Sequence, residues 1–406
     1  MPRDFSGNPN GHTIPPHRTP SKTSPNVLEA FAARDWRMTA ATRRDTVLFV
    51  AVPAPLGGSN RALAALLEAV DKRVRRVLAS PDEGDFLQFV KDKAIVEEHL
   101  PLPHGSRWRR VAAAARIARW VFRNRRRMLA IHANASRGLN LSLAAGFLTG
   151  VPITVWVHDP VASPMGKRLG PLLRLFLRRV QWFAVSDTAR RVVVGNGLCR
   201  AEEVEIVPNP VDPATVLGHG RRAPSDHVVI GYLGAGRDRK GFDLLPDIIE
   251  ALTDLPVEWR LFTKRVDSPY ATPLWHRLDA MTSARIENPG PDSDVRRIYD
   301  QCDIVLVPSR AESFSLVTAE AMLNGIAVVG SDLDPLRDLL SSDTSDGAGA
   351  LFTTGDAGSA AAAIRKLVEN PDLRLRMGDE GRRRAVVFRS DRVAARLLES
   401  YGYKPS

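Results

Sequence analysis

The chain has 406 residues with a formal net charge of +11, and 44% of the residues are hydrophobic and 25% charged. This length predicts two domains, and the ordinary hydrophobic share predicts a globular protein. No apolar run reaches the roughly 18 to 20 residues that span a bilayer, which argues against a membrane-spanning helix. Cys199 and Cys302 are too far apart for a Cys-x-x-Cys motif. This argues against a disulfide framework and a zinc site and favours a reducing cytoplasm.

Ordered structure is predicted to begin at Thr46. Residues 1–45 lack the apolar core of a signal peptide and are rich in Pro, Ser, Thr, Asn and Arg, so they are interpreted as a disordered tail. Residues 46–52 form a β-branched apolar run that is typical of a buried parallel strand. Further strand-like runs alternate with helical stretches, at 75–79, 130–134, 153–157 and 182–185. This alternation predicts a parallel sheet that is covered by helices on both faces.

The alternation restarts at residue 228, after a proline-rich stretch at 207–226 that is interpreted as a hinge. Strand-like runs follow at 228–233, 259–262, 304–308 and 327–330. The predicted fold class is α/β, with two doubly wound Rossmann-like domains, residues 46–213 and 214–385, that face each other across a cleft. Ligands of such domains bind at the carboxyl ends of the strands. Residues 386–406 are predicted to form a last helix that packs back on the N-terminal domain.

Two glutamates stand at the mouth of one predicted helix. Glu312 follows the strand-like run 304–308, and Glu320 comes eight positions later. A carboxylate at a helix start is also an ordinary consequence of the helix dipole. Ionised carboxylates accept hydrogen bonds from hydroxyl groups, and the backbone N–H groups of a helix N-terminus bind phosphate. The segment therefore predicts a site for a ligand that carries both sugar hydroxyls and phosphate.

Several motifs, in their order and spacing, resemble glycosyltransferase family 4, whose members are retaining enzymes of the GT-B architecture. The second half has the family's Glu-x(7)-Glu element at Glu312 and Glu320, and the first half has a Gly-Gly loop at Gly57 and Gly58. The first half also has Val-Pro-x-x-x-x-x-His-Asp, Val-Ser-Asp and Val-Pro-Asn motifs, at 151–159, 185–187 and 207–209. The resemblance covers nearly everything after Thr46. It implies transfer of a sugar from a nucleotide-diphosphate sugar to an acceptor.

The resemblance also implies roles for single residues. It implies that Glu312 contacts the donor-sugar hydroxyls and helps to hold the transition state, that Glu320 accepts hydrogen bonds from the nucleotide ribose, and that His158 contacts the donor sugar. It implies no nucleophile on the protein, since the departing diphosphate assists deprotonation of the acceptor. Four backbone N–H groups at the start of the helix are expected to point at the diphosphate: those of Phe314, Ser315, Leu316 and Val317.

Lys240 lies in the segment 234–241, after the first strand of the second half. A fixed ammonium there stabilises the charge that develops on a leaving nucleoside diphosphate. The family has an arginine five residues before this lysine, and this chain has Ala235 instead. Arg237 or Arg239 is the candidate for the missing guanidinium. An ordinary charged turn is the alternative for this segment.

The glycines and the histidine of the first half also have two interpretations each. Gly57 and Gly58 either meet the need of a tight loop for positive φ or let the backbone approach the donor phosphate or the acceptor. His158 ends the run 153–157, which directs it into the cleft, although a histidine at such a place is often structural.

Two acidic pairs have the Asp-x-Asp spacing of metal motifs in a different glycosyltransferase architecture, at 292–294 and 332–334. Helix capping is the favoured interpretation for the first pair, which directly precedes a predicted helix, and the same view is taken of the second. Capping is also open for Ser186 and Asp187. We expect no metal and no cofactor, with the nucleotide sugar as substrate.

The stretch 107–129 contains nine arginines and no acidic residue. On a helical wheel its apolar residues, among them Val111, Ile117, Val121 and Phe122, share one face. Six arginines cluster opposite, with Trp120 near the border: Arg109, Arg116, Arg119, Arg123, Arg126 and Arg127. A basic amphipathic helix with a tryptophan favours peripheral contact with an anionic membrane surface, here the inner face of the plasma membrane. The alternative is an ordinary helix that packs on the sheet and has a solvated basic face.

The expected function is that of a retaining, hexosyltransferase-type enzyme in the synthesis of cell-surface polysaccharide or glycolipid. The first half would bind a glycan or lipid-linked acceptor, and the second half the donor. Two other classes stay open. One is a GT-B epimerase that acts on sugar nucleotides without transfer. The other is a basic nucleic-acid-binding protein, although the chain shows no nucleic-acid motif and no interleaved aromatic platforms, so no nucleic acid is expected as a partner.

Overall fold

The computed structural model describes residues 44–52, 57–158, 177, 180–212, 214, 226–291, 294–341 and 347–404. These residues form two α/β domains, each built on a parallel sheet, so the predicted fold class is confirmed. Residues 1–43 of the predicted disordered tail, together with Asp159 and Asp292, lie outside the described residues.

The N-terminal domain has a seven-stranded sheet in the order β3-β2-β1-β4-β5-β6-β7. Its strands are β1 (Thr46–Ala51), β2 (Arg75–Ser80), β3 (Glu98–Pro101), β4 (Met128–Asn134), β5 (Ile153–Val157), β6 (Val180–Ala184) and β7 (Val204–Ile206). Its described α-helices of several turns are α1 (Gly58–Ala69), α2 (Asp85–Asp92), α3 (Arg107–Asn124), α4 (Ala135–Thr149) and α5 (Asp187–Gly195).

The C-terminal domain has a six-stranded sheet in the order β10-β9-β8-β11-β12-β13. Its strands are β8 (Val228–Leu233), β9 (Val257–Phe262), β10 (Arg285–Glu287), β11 (Ile304–Val307), β12 (Ala327–Ser331) and β13 (Gly349–Phe352). Its α-helices are α6 (Leu245–Glu250), α7 (Ala271–Asp279), α8 (Val295–Tyr299), α9 (Leu316–Leu323), α10 (Asp334–Leu340), α11 (Ala357–Glu369) and α12 (Pro371–Ala385).

The central strands of both sheets are buried because helices cover both faces. Strands β1 and β4 are buried at every residue, as are β11 and β12. In each sheet the strand order reverses at the centre, next to β1 in one domain and next to β8 in the other. Ligands of such sheets bind at the carboxyl edge beside this point. The loops that carry the predicted site residues follow β1, β5, β8 and β11.

The last helix, α13 (Ser390–Ser400), returns to the N-terminal domain. The hydroxyl of Tyr401 lies 2.7 Å from Nδ1 of the buried His132, and Arg396 forms a 2.7 Å ion pair with Glu205. Burial lowers the pKa of His132 to about 3, so this histidine is neutral and serves packing. These contacts fix α13 against the N-terminal sheet.

Candidate active site

Glu312 receives two hydrogen bonds at the carboxyl edge of the C-terminal sheet. The Lys240 ammonium donates to its Oε1 at 2.6 Å, and the Ser309 hydroxyl donates to the same oxygen at 2.8 Å. Glu312 is 8% exposed, so water screens the ion pair only partly. Within the described residues, no side chain donates to its second oxygen. That oxygen is therefore available to a ligand hydroxyl.

Gly241 brings Lys240 to Glu312. It has a φ of +64°, and a Cβ at this position would lie 1.9 Å from the carbonyl oxygen of Pro308. Only glycine therefore allows the turn after β8 to touch the loop after β11. The two loops are tied further by Arg310, whose guanidinium forms two 2.6 Å hydrogen bonds with Asp243.

Glu320 lies in α9 and is 6% exposed. The Tyr299 hydroxyl donates to its Oε2 at 2.7 Å. Burial and the neighbouring carboxylate raise the pKa of Tyr299 well above its ordinary value, so the phenol stays a donor. Arg61, from α1 of the other domain, lies 3.7 Å from Oε1. This ion pair crosses the cleft and joins the first turn of α1 to α9.

The start of α9 supplies backbone donors at the cleft. Ser315 has a φ of +75°, which is strained for a non-glycine residue, and its hydroxyl caps the helix by accepting from Thr318 N at 3.4 Å. Leu316 and Val317 open the helix, where N–H groups have no partner within the helix. The Phe314 side chain is buried edge-on against Phe388, so only its backbone can face a ligand.

Gly57 and Gly58 do not serve a positive φ angle, so that interpretation of the loop was wrong. Gly57 is the N-cap of α1 with a φ of −85°, and Gly58 is not among the glycines with positive φ. A Cβ at Gly57 would meet no atom within 4 Å, and one at Gly58 would lie 3.8 Å from Leu316 of α9. The loop therefore leaves open space at the cleft beside the start of α9.

His158 belongs to a chain of buried polar side chains at the carboxyl edge of the N-terminal sheet. Its Nε2 lies 3.0 Å from Oδ1 of Asn134. The amide nitrogen of Asn134 lies 3.1 Å from Oδ1 of Asn60 and 3.4 Å from the carbonyl oxygen of Ser59. A carbonyl can only accept, so the nitrogen of Asn134 must face Ser59 and its oxygen must face His158. Nε2 of His158 therefore carries the proton.

This assignment leaves Nδ1 of His158 as an acceptor. Nδ1 is buried and has no hydrogen-bond partner among the described residues, and the same holds for Oδ1 of Asn209. Burial lowers the pKa of His158 to about 3, although the Asn209 side chain acts to raise it. The ring is therefore neutral at physiological pH. A buried acceptor without a partner is costly, and a ligand hydroxyl would satisfy it.

The structure distinguishes between Arg237 and Arg239, the two candidates to replace the family's arginine that is absent at Ala235. Arg239 donates to the carbonyl oxygen of Ala311 at 3.3 Å. The side chain of Arg237 is exposed and forms no ion pair within the described residues. Arg237 is therefore the freer of the two cations beside Lys240.

The aspartates with metal-motif spacing act as caps or ion-pair partners. Asp294 caps α8 by accepting from Arg296 N at 3.1 Å. The capping prediction for the second pair was wrong, because Leu333 is the N-cap of α10 and no side chain caps this helix. Asp332 and Asp334 both pair with Arg337 instead. Ser186 caps α5 by accepting from Ala189 N at 3.2 Å. In the part of the chain that the structure describes, no group of three or more His, Cys, Asp or Glu side chains could hold a metal ion.

Helix α3 does not have the predicted division into faces. Ile117 and Val121 are buried, as expected, but Val111 and Phe122 are 56% and 55% exposed. The Trp120 indole N–H donates to Glu98 at 2.8 Å, so this tryptophan is held by β3. The arginines at 109, 116, 119, 123, 126 and 127 are all exposed, and Arg127 pairs with Asp45 at 2.6 Å. None of the described helices is long and apolar enough to cross a bilayer.

Asn60, Asn134, Arg61 and Ser309 are site residues that the sequence analysis missed. Asn134 is the last residue of the strand-like run 130–134, and the end of such a run is also the signal that singled out His158. Arg61 gave no comparable signal, because its relevance depends on how the two domains meet. Ser309 acts within the C-terminal domain, where it donates to Glu312.

The fold and the site together define a GT-B glycosyltransferase: two parallel α/β domains with carboxylates, a lysine and a helix N-terminus at the facing carboxyl edges. Residues 56–215 match the family described as Glycosyltransferase Family 4, and residues 220–384 match Glycosyl transferases group 1. The chain belongs to glycosyltransferase family 4.

Named relatives and a solved structure agree with this assignment. The MMP alpha-(1->4)-mannosyltransferase of Mycolicibacterium hassiacum is 25% identical over 67% of this chain and 69% of its own length. The D-inositol 3-phosphate glycosyltransferase of Kineococcus radiotolerans is 31% identical over 54% of this chain and 56% of its own. Anabaena HepE in complex with UDP and glucose shares the fold, with a TM-score of 0.71 and 19% identity over 88% of this chain and 100% of HepE.

Proposed function

We propose that this enzyme transfers a sugar, with retention of anomeric configuration, from a nucleoside-diphosphate sugar in the C-terminal domain to an acceptor in the N-terminal domain. The observation that carries the proposal is the pairing of Lys240 with Glu312 beside the N-terminus of α9. A phosphorylated sugar requires a cation and helix N–H groups for its phosphates and a carboxylate with a free oxygen for its hydroxyls. The Anabaena HepE complex with UDP and glucose supports such a donor.

Each group has a proposed place in the reaction. Lys240 and the start of α9 stabilise the negative charge on the departing diphosphate, with Arg237 as a second cation. Glu312 accepts hydrogen bonds from the sugar, and Glu320 from the ribose. The acceptor oxygen forms its bond to the anomeric carbon while the bond to the diphosphate breaks, and the acceptor proton passes to the departing diphosphate. No protein nucleophile takes part. Closure of the two domains excludes water and suppresses hydrolysis.

The test is incubation with UDP-, GDP- and ADP-sugars and an extract of cell-envelope glycans and glycolipids as acceptor. We expect release of one nucleoside diphosphate that depends on the acceptor, and a glycosidic proton whose NMR coupling shows the donor's own configuration. An inverted product would contradict the retaining mechanism. Epimer formation without acceptor would point to the epimerase, which the relatives do not favour.

The acceptor is proposed to be a glycan or a lipid-linked molecule, and the enzyme to work at the inner face of the plasma membrane. Exposed arginines along α3 support contact with an anionic membrane surface. The exposure of Val111 and Phe122 adds apolar contact area that the helical wheel did not predict.

A further inference from the structure

A large groove opens at the carboxyl edge of the N-terminal sheet. It has a volume of about 920 Å³ and lies between the ends of β1, β2 and β3 and the first turns of α3 and α4. We call it the acceptor groove. Its apolar wall includes Val52, Leu102, Val111 and Leu141. The volume is enough for a ligand larger than a single sugar.

The acceptor groove carries positive charge at one end. Arg107, Arg110 and Arg137 line it, and all three are exposed and form no ion pair within the described residues. Glu83 and Asp85 also line the groove, and both are exposed, with Glu83 3.6 Å from His104, so the three arginines outnumber the two carboxylates. Arg107 and Arg137 stand in the first turns of α3 and α4, where the helix dipole adds to their field. This end of the groove suits a phosphate.

Exposed apolar side chains and arginines share the surface of α3 and α4. Five of the seven large hydrophobic side chains that are exposed among the described residues lie on α3 and α4, namely Trp108, Val111, Phe122, Phe147 and Leu148. Both helices follow a strand and precede the next parallel strand, so they run side by side from the carboxyl edge to the amino edge. Val111 belongs both to the groove and to this surface. The Arg125 guanidinium lies over the Phe122 ring, 4.3 Å from its centroid.

We propose that the acceptor groove binds a membrane-anchored acceptor lipid that carries a phosphate, with Arg107, Arg110 and Arg137 at the phosphate and the exposed face of α3 and α4 against the bilayer. The combination of a basic end, an apolar wall and exposed apolar side chains along α3 and α4 matches a lipid headgroup that is drawn partly out of the membrane. Apolar side chains next to arginines bind the interface of an anionic bilayer. This inference rests on the proposed function and narrows its acceptor to one class.

The groove is tested with dihexanoyl phosphatidylglycerol below its micelle concentration, by calorimetric titration of the full chain. We expect binding that weakens about tenfold for each of Arg107→Gln and Arg110→Gln, because each removes a charge-assisted hydrogen bond. Arg285→Gln, at an exposed position of the other domain, should leave the affinity unchanged. Glycerol 3-phosphate should bind much more weakly, since it lacks the chains. Equal binding of glycerol 3-phosphate, or equal binding by all variants, would overturn the proposal.

The membrane-facing surface is tested with vesicles of phosphatidylcholine, with and without phosphatidylglycerol. We expect co-sedimentation only with the anionic vesicles, and at least a several-fold loss for Trp108→Ser with Phe122→Ser. Val266→Ser with Leu375→Ser is the matched control, since these two exposed apolar residues lie on the C-terminal domain. Binding that both pairs reduce alike, or that neither pair changes, would contradict the assignment of this face.

UDP binding by the same variants separates this inference from the proposed function. The groove variants should bind a nucleoside diphosphate as the unmodified chain does. If the unmodified chain binds a nucleotide but no lipid, the lipid acceptor is refuted and sugar transfer stands. If it binds no nucleotide, the proposed function itself fails.

Discussion

Lys240 Nζ lies 2.6 Å from Glu312 Oε1, although the two residues are 72 positions apart in the chain. The contact joins the loop after β8 to the loop after β11, at the central pair of strands in the C-terminal sheet. Without a ligand, the lysine neutralises a carboxylate that is almost buried. With a donor bound, the same ammonium would also face the diphosphate, so one cation would position the sugar ligand and stabilise the leaving group.

Replacement of Lys240 by Met should lower kcat about 10²- to 10³-fold, the cost of losing one preorganised charge-stabilising donor. It should also reduce the free energy of unfolding by about 1 to 3 kcal/mol, because Glu312 then lacks its partner. Adding Glu312→Gln to Lys240→Met removes the unpaired charge. Denaturant unfolding should show recovered stability for the double variant while activity stays low. Recovery of both would mean that the pair is only structural.

Arg237→Ala should weaken binding of a nucleoside diphosphate about tenfold or more, since a charge-assisted hydrogen bond is lost. Arg239→Ala should have a smaller effect, because its guanidinium already donates to Ala311. Calorimetric titration of both variants measures the difference. Full affinity in both variants would show that nothing on this turn replaces the arginine absent at Ala235.

His158→Asn should retain more activity than His158→Gln. The Asn amide reaches the position of Nδ1, which we assign as the acceptor, whereas the Gln amide reaches that of Nε2, which only donates to Asn134. Losing the acceptor should cost about 10- to 100-fold in kcat/KM. Because the pKa of His158 is about 3, the activity should show no ionisation of this ring between pH 5 and 8. Long-range nitrogen NMR of labelled histidine reports the tautomer directly, and a proton on Nδ1 would refute the assignment.

Asp338→Asn should stabilise the protein at neutral pH. Burial, together with the carboxylates of Asp187 and Asp334, raises the pKa of Asp338 to about 6. The pKa of an unfolded aspartate is about 3.9. Ionisation of Asp338 therefore lowers the free energy of unfolding, and this loss is absent below about pH 4, grows towards pH 6 and is complete above it. Since Asp338 is partly exposed, we expect a gain of about 1 to 2 kcal/mol at pH 7.5 that shrinks at pH 5. Denaturant unfolding at both pH values measures it, with Glu399→Gln as the exposed control. A gain in the free energy of unfolding that does not depend on pH would contradict the raised pKa of Asp338.

The strands that the sequence did not reveal are the four edges of the two sheets. Strands β3, β7, β10 and β13 have three or four residues each and are partly exposed. An edge strand is buried on fewer sides, so polar residues such as Glu98 and Arg285 interrupt the apolar run that marks a central strand. The central strands were predictable because burial on both faces requires an uninterrupted apolar sequence.

The candidate site, too, could be predicted from local sequence only in part. Glu312, Lys240 and His158 could be placed at the cleft because each lies in a segment that follows a buried strand, and Glu320 because it completes the Glu-x(7)-Glu element of the family. The exposure of Val111 and Phe122 could not be predicted, because a helical wheel shows an apolar face but not how much of it the sheet covers. The pairing of Arg61 with Glu320 depends on the relative position of two domains, which no local pattern encodes.

The central claim is that Lys240, Glu312 and Glu320 hold a nucleoside-diphosphate sugar. Calorimetric titration with UDP-, GDP- and ADP-sugars tests it most directly, because it needs no acceptor. At least one of these donors should bind, and a concentration 100 times its Kd should stabilise the fold by about 2.7 kcal/mol. Lys240→Met and Glu320→Gln should each weaken this binding at least tenfold, whereas Leu375→Ser should not. Absence of binding by every donor, or equal binding by all variants, would contradict the account.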